Sequence, residues 1–161
     1  MNPIKIIFPG TSIVKANTQG QSLYYTDRQG KKRLRTDGQG NVRPIHFYTA
    51  VWQDYAKACM IQCYNFRVHH PEIDFPISEQ INLKCSFFVN DDRIRDISNL
   101  YKGIEDILAG NSGVEVPSLP RSAYQILFDD NWRHIGSHDG SRYILDFTDP
   151  RTEITISDYI L

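Results

Sequence analysis

Every second residue is apolar over one stretch near the middle of the chain, at Ile81, Leu83, Cys85 and Phe87. A period of two is typical of a strand with one buried face, so we predict a strand here that closes with Phe88 and Val89. Shorter apolar runs predict two further strands, one from Ile4 to Phe8 before the Pro9-Gly10 turn and one beginning at Ile154 to Ile156.

A longer period follows the central strand. From Ile97 to Leu108 the apolar residues recur every three or four positions, so at about 100° per residue they share one side of a helix. The opposite side carries Asn99, Lys102 and Asp106. A second amphipathic pattern predicts a helix from Ile45 to about Arg67, and Pro71 stops it soon afterwards.

The last third of the chain predicts further strands. Ala123 to Phe128 is expected to be a strand that delivers an acid pair at its end. Trp132 to Ile135 and Arg142 to Phe147 predict a hairpin closed by His138-Asp139-Gly140, because Asp-Gly suits the positive φ of such turns. Together these elements predict an α+β fold in which a small mixed β-sheet carries two main helices.

Length and composition limit the possible architectures. A chain of 161 residues with 40% hydrophobic residues suits one compact domain, expected over residues 1–161. No apolar run reaches the roughly 20 residues of a membrane helix, and the N-terminus lacks the pattern of a secretory signal. Three cysteines, Cys59, Cys63 and Cys85, make no disulfide framework. We therefore expect a cytoplasmic protein without a membrane segment.

Charge is distributed unevenly although the net charge is only −1. Residues 1–67 carry ten Lys and Arg against three acids, and the remainder carries eight against sixteen. A polar, glycine-rich stretch at about 11–44 predicts a loose hairpin or loop, whose cations and tyrosines favour nucleic-acid phosphates and bases. An equally open alternative is a solvated loop whose charges pair elsewhere. The candidate DNA-binding residues are Arg28, Lys31, Lys32, Arg33, Arg35 and Arg43.

Candidate catalytic groups lie around the second predicted helix. Asp96 stands at its N-cap position, where a carboxylate accepts unpaired amide hydrogens, and this structural role alone can explain the residue. Further carboxylates follow at Asp129-Asp130. If the two groups converge, they can hold Mg²⁺, which prefers one or two carboxylates and keeps several waters. Lys102 would then neutralise charge on a phosphodiester in its transition state, and Asn99 would hold a carboxylate or a water.

In these residues the sequence resembles the RusA family of Holliday-junction resolvases. Members have an Asp-x-Asp-Asn segment and a following Lys that lead into a helix with a later Asp, and then an Asp-Asp pair. The order of elements resembles the family over nearly the whole chain. The residues of this sequence that match the motif are Asp96, Asn99, Lys102, Asp106, Asp129 and Asp130. The sequence departs from the motif at Ser98, where the family has its second Asp, so one negative charge is lost.

The resemblance implies an endodeoxyribonuclease that resolves four-way DNA by paired symmetric nicks in recombination and repair. It implies Mg²⁺ as cofactor, with Mn²⁺ as a substitute, and a homodimer, because two-fold symmetry supplies two matched sites. The loop at about 109–122 is expected to alter how the substrate is held. The implied roles are catalysis by Asp96, Lys102 and Asp130, metal binding by Asp96, Asp130, Asp129 and, weakly, Ser98, and support by Asn99 and Asp106.

Three other interpretations stay open. The protein can be a branched-DNA-binding protein with weakened or lost catalysis, which Ser98 favours, or a nuclease for flaps and other branched DNA. A zinc site is less favoured, because adjacent histidines do not easily converge on one metal. Its candidate ligands are Cys59, Cys63, His69 and His70. His134 and His138, near the acid pair, are expected to be surface residues of the hairpin.

Overall fold

The computed structural model describes residues 2–12, 19–22, 24–42, 45–91 and 96–160. The main sheet is mixed, with the order β1–β9–β6–β7 and with β8 also paired to β6. The prediction of an α+β fold with a mixed sheet is therefore confirmed. The strands are β1 (Ile4–Pro9), β2 (Gln19–Ser22), β3 (Tyr24–Thr26), β4 (Lys32–Leu34), β5 (Ile45–Tyr48), β6 (Ile81–Val89), β7 (Ile135–Ser137), β8 (Arg142–Leu145) and β9 (Arg151–Asp158). The helices are α1 (Ala50–His69), α2 (Ile97–Leu108) and α3 (Arg121–Tyr124).

The core lies on one face of this sheet. β9 pairs antiparallel with both β1 and β6, in a register that places Ile4, Ile156 and Leu83 side by side. The next row on the same face is Ile6, Ile154 and Cys85, and all six side chains are buried. Burying one such aliphatic side chain stabilises the fold by roughly 1.5–3 kcal/mol. The alternation predicted for β6 and the strands predicted at residues 4–8 and 154–156 are confirmed.

Helix α1 packs onto this face but begins later than predicted. Ile45–Tyr48 is not helical, because it forms β5 and pairs antiparallel with β2. Thr49 has an extended backbone and its Oγ1 accepts a hydrogen bond from the Trp52 amide at 3.5 Å, so the first free amides of the helix are capped there. The Trp52 ring is fully buried and its Nε1 donates to the Ser112 carbonyl at 3.2 Å.

Helix α2 has the predicted bounds. Its apolar side contributes Leu100, Ile104, Ile107 and Leu108 to the core, all of them fully buried. At the far end, the Leu108 carbonyl accepts hydrogen bonds from the amides of residues 126 and 127, at 2.9 and 3.0 Å. The last turn of α2 therefore fixes the segment that leads to the acid pair.

Two predictions for the last third of the chain are wrong. Residues 123–128 do not form a strand, since Arg121–Tyr124 is the short helix α3 and only a single bridge, between Leu127 and Ile77, follows it. Residues 132–147 do not form a hairpin, because β7 and β8 each pair in parallel with β6 instead of with one another. The turn between them does have the expected positive φ, +80° at Gly140.

Residues 24–42 form an exposed arm that contains the predicted hairpin. β3 and β4 pair antiparallel around a turn in which Asp27 Oδ1 accepts hydrogen bonds from the amides of Gln29 and Lys31, both at 2.9 Å. The same turn recurs ten residues later, where Asp37 Oδ1 accepts from residues 39 and 41. Among the described residues, no helix is both long and apolar enough to cross a membrane.

Candidate active site

An ion cluster joins the middle of α2 to the acid pair. The Lys102 ammonium donates a hydrogen bond to Asp130 and lies 3.1 Å from Asp106 Oδ1, one helical turn away. The Asp106 side chain is 6% exposed and that of Asp130 is 15% exposed, whereas Lys102 is 56% exposed. The structure thus brings Lys102, Asp106 and Asp130 together. Asp106 differs from a surface residue of the polar helix face, because its side chain is almost entirely buried.

Lys102 and Asp130 hold each other in their charged forms over a wide pH range. Partial burial by itself would raise the pKa of Asp130, but hydrogen bonds from Lys102 and with Asp106 outweigh burial and lower this pKa well below its usual range. Burial would lower the pKa of Lys102, yet its two carboxylate partners raise the pKa of the ammonium above its ordinary value. A cation is therefore held beside Asp130 at neutral pH.

The turn that carries the acid pair is fixed by its own hydrogen bonds. Asp129 Oδ1 accepts a hydrogen bond from the Asp130 amide at 2.8 Å, and Asp129 Oδ2 accepts from Asn131 Nδ2 at 2.6 Å. Upstream, the Phe128 amide donates to the Ile77 carbonyl at 2.9 Å. Asp129 therefore shapes the turn, and Asp130 is the member of the pair that reaches α2.

Asp96 and Ser98 form a separate pair at the start of α2. Asp96 is the N-cap, as predicted, and its Oδ1 accepts hydrogen bonds from the Ser98 amide at 2.9 Å and from Ser98 Oγ at 2.7 Å. The hydroxyl bond and then the amide bond lower the pKa of the Asp96 carboxyl. Asp96 and Lys102 are six positions apart, or about 9 Å of helix rise. Asn99 lies in the first turn of α2, and its amide donates to the Asp96 carbonyl at 3.1 Å.

The oxygen donors at this site suit Mg²⁺ or Mn²⁺ in kind. Carboxylates are the protein ligands that these hard cations prefer, and Mg²⁺ commonly takes only one or two of them. Asp130 and Asp96 are the candidate ligands, with Asp129 adjacent and with Ser98 bonded to Asp96. In the described ranges, no three His, Cys, Asp or Glu side chains are grouped as a ligand set.

A second polar contact on α2 was not anticipated from the sequence. Glu105 Oε1 lies 2.8 Å from His138 Nε2, and the His138 ring packs against Tyr101 with centroids 4.3 Å apart. His138 is thus half-buried instead of on the open surface. Tyr101 and Glu105 stand four residues apart on one helical row, and this spacing was the available signal.

The residues considered for zinc lie in different environments and have different partners. Cys59 and Cys63 are fully buried on the inner side of α1, and burial raises the pKa of Cys59 to about 12. His69 Nδ1 lies 2.7 Å from the Asn65 carbonyl, and His70 Nδ1 lies 2.9 Å from Glu72. Cys85 is buried in the main sheet.

Several predicted DNA-binding cations lie together on the exposed arm. Arg33 Nε donates to Asp27 Oδ2 at 2.9 Å, while Lys32 and Arg35 lie over the rings of Tyr24 and Tyr25, 5.2 and 5.4 Å from their centroids. The remaining candidates on the exposed arm are Arg28 and Lys31, both solvent-exposed. Arg43 lies outside the described residues.

A scan against models of known protein families finds no match for this sequence, and a search of curated proteins finds none at a significant level. The functional conclusion therefore depends on the residues and contacts described above.

Proposed function

We propose that the protein is a Mg²⁺-dependent endodeoxyribonuclease of the RusA type, which resolves four-way DNA by paired symmetric nicks. The observation that carries the proposal is the contact of Lys102 with both Asp130 and Asp106. Lys102 and Asp130 are 28 positions apart in the sequence. All three residues match positions of the RusA-family motif. A solvated helix face would not require a lysine that bridges two largely buried carboxylates.

The residues divide the chemistry between them. Asp130 and Asp96 would hold the metal, which when bound orients water and stabilises charge on the phosphodiester. Asp106 is almost fully buried one helical turn after Lys102, and its carboxylate holds the Lys102 side chain in place. Because its pKa is raised, Lys102 stays cationic and offers positive charge to the phosphate in the transition state.

The exposed arm supplies a surface for the DNA backbone. Five cations and two acids lie between residues 24 and 42, and Asp27 is already engaged in its turn. Phosphate contacts of this kind position DNA without reading its sequence, which suits a protein that recognises branched geometry. A homodimer would present two such arms and two sites for opposed nicks.

Cleavage of a synthetic four-way junction tests the proposal. With Mg²⁺ or Mn²⁺ we expect symmetric nicks, and we expect Asp130→Asn and Asp96→Asn to abolish them while binding persists. Asp54→Asn, at an exposed acid of α1, is the matched control and should cleave normally. Linear duplex and flap substrates serve as specificity controls. Equal cleavage by the wild type and by both site variants would remove the mechanism proposed here.

A binding experiment tests the arm independently. Changing Lys31, Lys32 and Arg33 to Gln should weaken junction binding and make its dependence on salt shallower, by about one unit of slope for each lost phosphate contact. The triple variant needs a folding check by circular dichroism. An unchanged slope would reject the arm as a DNA-binding surface.

One observation favours a second candidate, a branched-DNA-binding protein with weak or no cleavage. Ser98 stands where the motif has a carboxylate, and its hydroxyl donates to Asp96 at 2.7 Å, so the pair offers one negative charge where the motif offers two. This candidate predicts junction binding that is indifferent to Mg²⁺ and to Asp96→Asn. Cleavage that depends on both would exclude it.

A further inference from the structure

Two exposed aromatic side chains flank the acid pair. Trp132 is 74% exposed and Phe128 is 56% exposed, whereas Trp52, the other tryptophan, is completely buried. Trp132 follows Asp130 by two residues, and Phe128 immediately precedes Asp129. Leaving large aromatic surfaces in water forgoes the stabilisation that their burial would bring. Because both residues border the acid pair in the sequence, they are candidates to contact a substrate bound at this site.

The backbone beneath these rings is fixed on both sides. The Phe128 amide donates to Ile77, and the Phe128 carbonyl accepts from Gln125 Nε2 at 3.0 Å. The Trp132 carbonyl accepts from Gln80 Nε2 at 2.8 Å. A ring on a fixed backbone loses little conformational freedom when a ligand covers it.

The neighbours of the two rings are a guanidinium and an imidazole. The Arg133 guanidinium lies 5.7 Å from the centroid of the Trp132 ring, within the range of a cation–π contact. The Phe128 ring packs near His134, with centroids 5.4 Å apart. An aromatic face beside a guanidinium matches a nucleotide, whose base stacks and whose phosphate is anionic.

We propose that Trp132, supported by Phe128 and Arg133, is a platform on which one unstacked nucleobase of branched DNA stacks beside the scissile phosphate. This inference rests on the proposed function and adds how branched DNA is distinguished from duplex. In continuous duplex both faces of each base are covered by neighbouring pairs, so the platform finds no partner. At a branch point an open base is available and stacking energy is gained only there.

Binding without metal separates this platform from catalysis. Full-length protein is titrated with a fluorescently labelled four-way junction and with linear duplex in EDTA, so that no cleavage occurs. Trp132→Ala should weaken junction binding by roughly 5- to 150-fold, the loss expected for one base–aromatic stack, and leave duplex binding unchanged. Trp132→Phe should retain most of the affinity. Tyr64→Ala, at an exposed aromatic of α1, is the matched control and should bind like the wild type.

Intrinsic fluorescence gives a second measurement. Because the sequence has two tryptophans and Trp52 is common to both proteins, the difference between wild-type and Trp132→Phe emission isolates the signal of Trp132, which a stacked base should quench. Quenching by the junction and not by duplex supports the platform. Unchanged junction affinity in Trp132→Ala, or unquenched emission, would overturn it even if Asp130-dependent cleavage is observed. If the junction quenches Trp132 emission and depends on Trp132 for tighter binding than duplex, but is never cleaved, the platform is supported and the nuclease proposal is rejected.

Discussion

Replacing Lys102 with methionine tests the ion cluster that joins α2 to the acid pair. The substitution keeps an unbranched side chain but removes the ammonium, which bonds to Asp130 and lies 3.1 Å from Asp106. Asp106 is then left almost fully buried beside a second carboxylate, without the cation between them. We expect both a loss of stability and a change in its dependence on pH.

The size of the loss follows from the geometry. A hydrogen bond to a charged group contributes about 1.5–3 kcal/mol when its partners are buried. The Lys102 side chain is 56% exposed, so solvent screens its charge and reduces the contribution. We therefore expect Lys102→Met to lower the free energy of unfolding by about 1–2 kcal/mol at pH 7.

The effect of pH has a defined direction. The pKa of Asp130 is lower in the folded state than its ordinary value of 3.8, so its stabilisation is present above that value and is lost as the pH falls towards the folded-state pKa. The pKa of Lys102 is raised above 10.5, so its stabilisation is lost only as the pH rises through the folded-state value. The Lys102–Asp130 ion pair should therefore contribute fully from roughly pH 5 to roughly pH 9.

Urea unfolding of both proteins at pH 7 and at pH 3 measures these differences. Lys5→Met, at an exposed lysine of β1, is the control for loss of a surface charge. The loss in free energy of unfolding caused by Lys102→Met should be smaller at pH 3 than at pH 7. Equal stability of Lys102→Met and wild type at pH 7, or a penalty that does not change with pH, would refute this account. So would additive effects of Lys102→Met and Asp130→Asn, because contacting residues should couple.

Three further substitutions have defined outcomes. Leu100→Ala removes a fully buried side chain of α2 and should cost about 2–5 kcal/mol in urea unfolding, while a cost near zero would contradict its place in the core. Gly140→Ala places an L-residue at φ +80°, where its Cβ would lie 3.3 Å from Lys84 Cδ. It should lower the free energy of unfolding, measured with urea, by about 1–2 kcal/mol. Ser98→Asp adds a carboxylate beside Asp96 and should lower the Mg²⁺ concentration needed for half-maximal cleavage; an unchanged requirement would place Ser98 away from the metal.

The elements that the sequence predicted well are those whose pattern is local and strong. β6 alternates over several residues and α2 keeps its apolar side through three turns, so each is determined by its own residues. The start of α1 was misplaced because the apolar residues of 45–48 also fit a helix. Thr49, a favoured N-cap residue, was a readable signal for the true start.

The remaining errors concern partners that are distant in sequence. β7 and β8 pair with β6, more than 50 residues earlier, so no local pattern distinguishes this arrangement from a hairpin. The contact of Lys102 with Asp130 likewise spans 28 residues, so the sequence grouped them as candidate site residues but could not show that the two side chains touch. The exposure of Trp132 could not be predicted from the sequence either, because the surrounding fold decides whether an apolar residue in a short segment is buried.

The two borders of the main sheet, within the described residues, have a consequence for how copies of the protein can associate. On one side the border is split into β7 and β8, of three and four residues, with residues 138–141 between them. On the other side β1 is only six residues long, carries Lys5 and ends at Pro9, which has no amide hydrogen to donate. Short, interrupted or charged borders discourage the addition of a strand from another molecule. If two copies of this protein associate, contact through side-chain surfaces is favoured over extension of one sheet into the next.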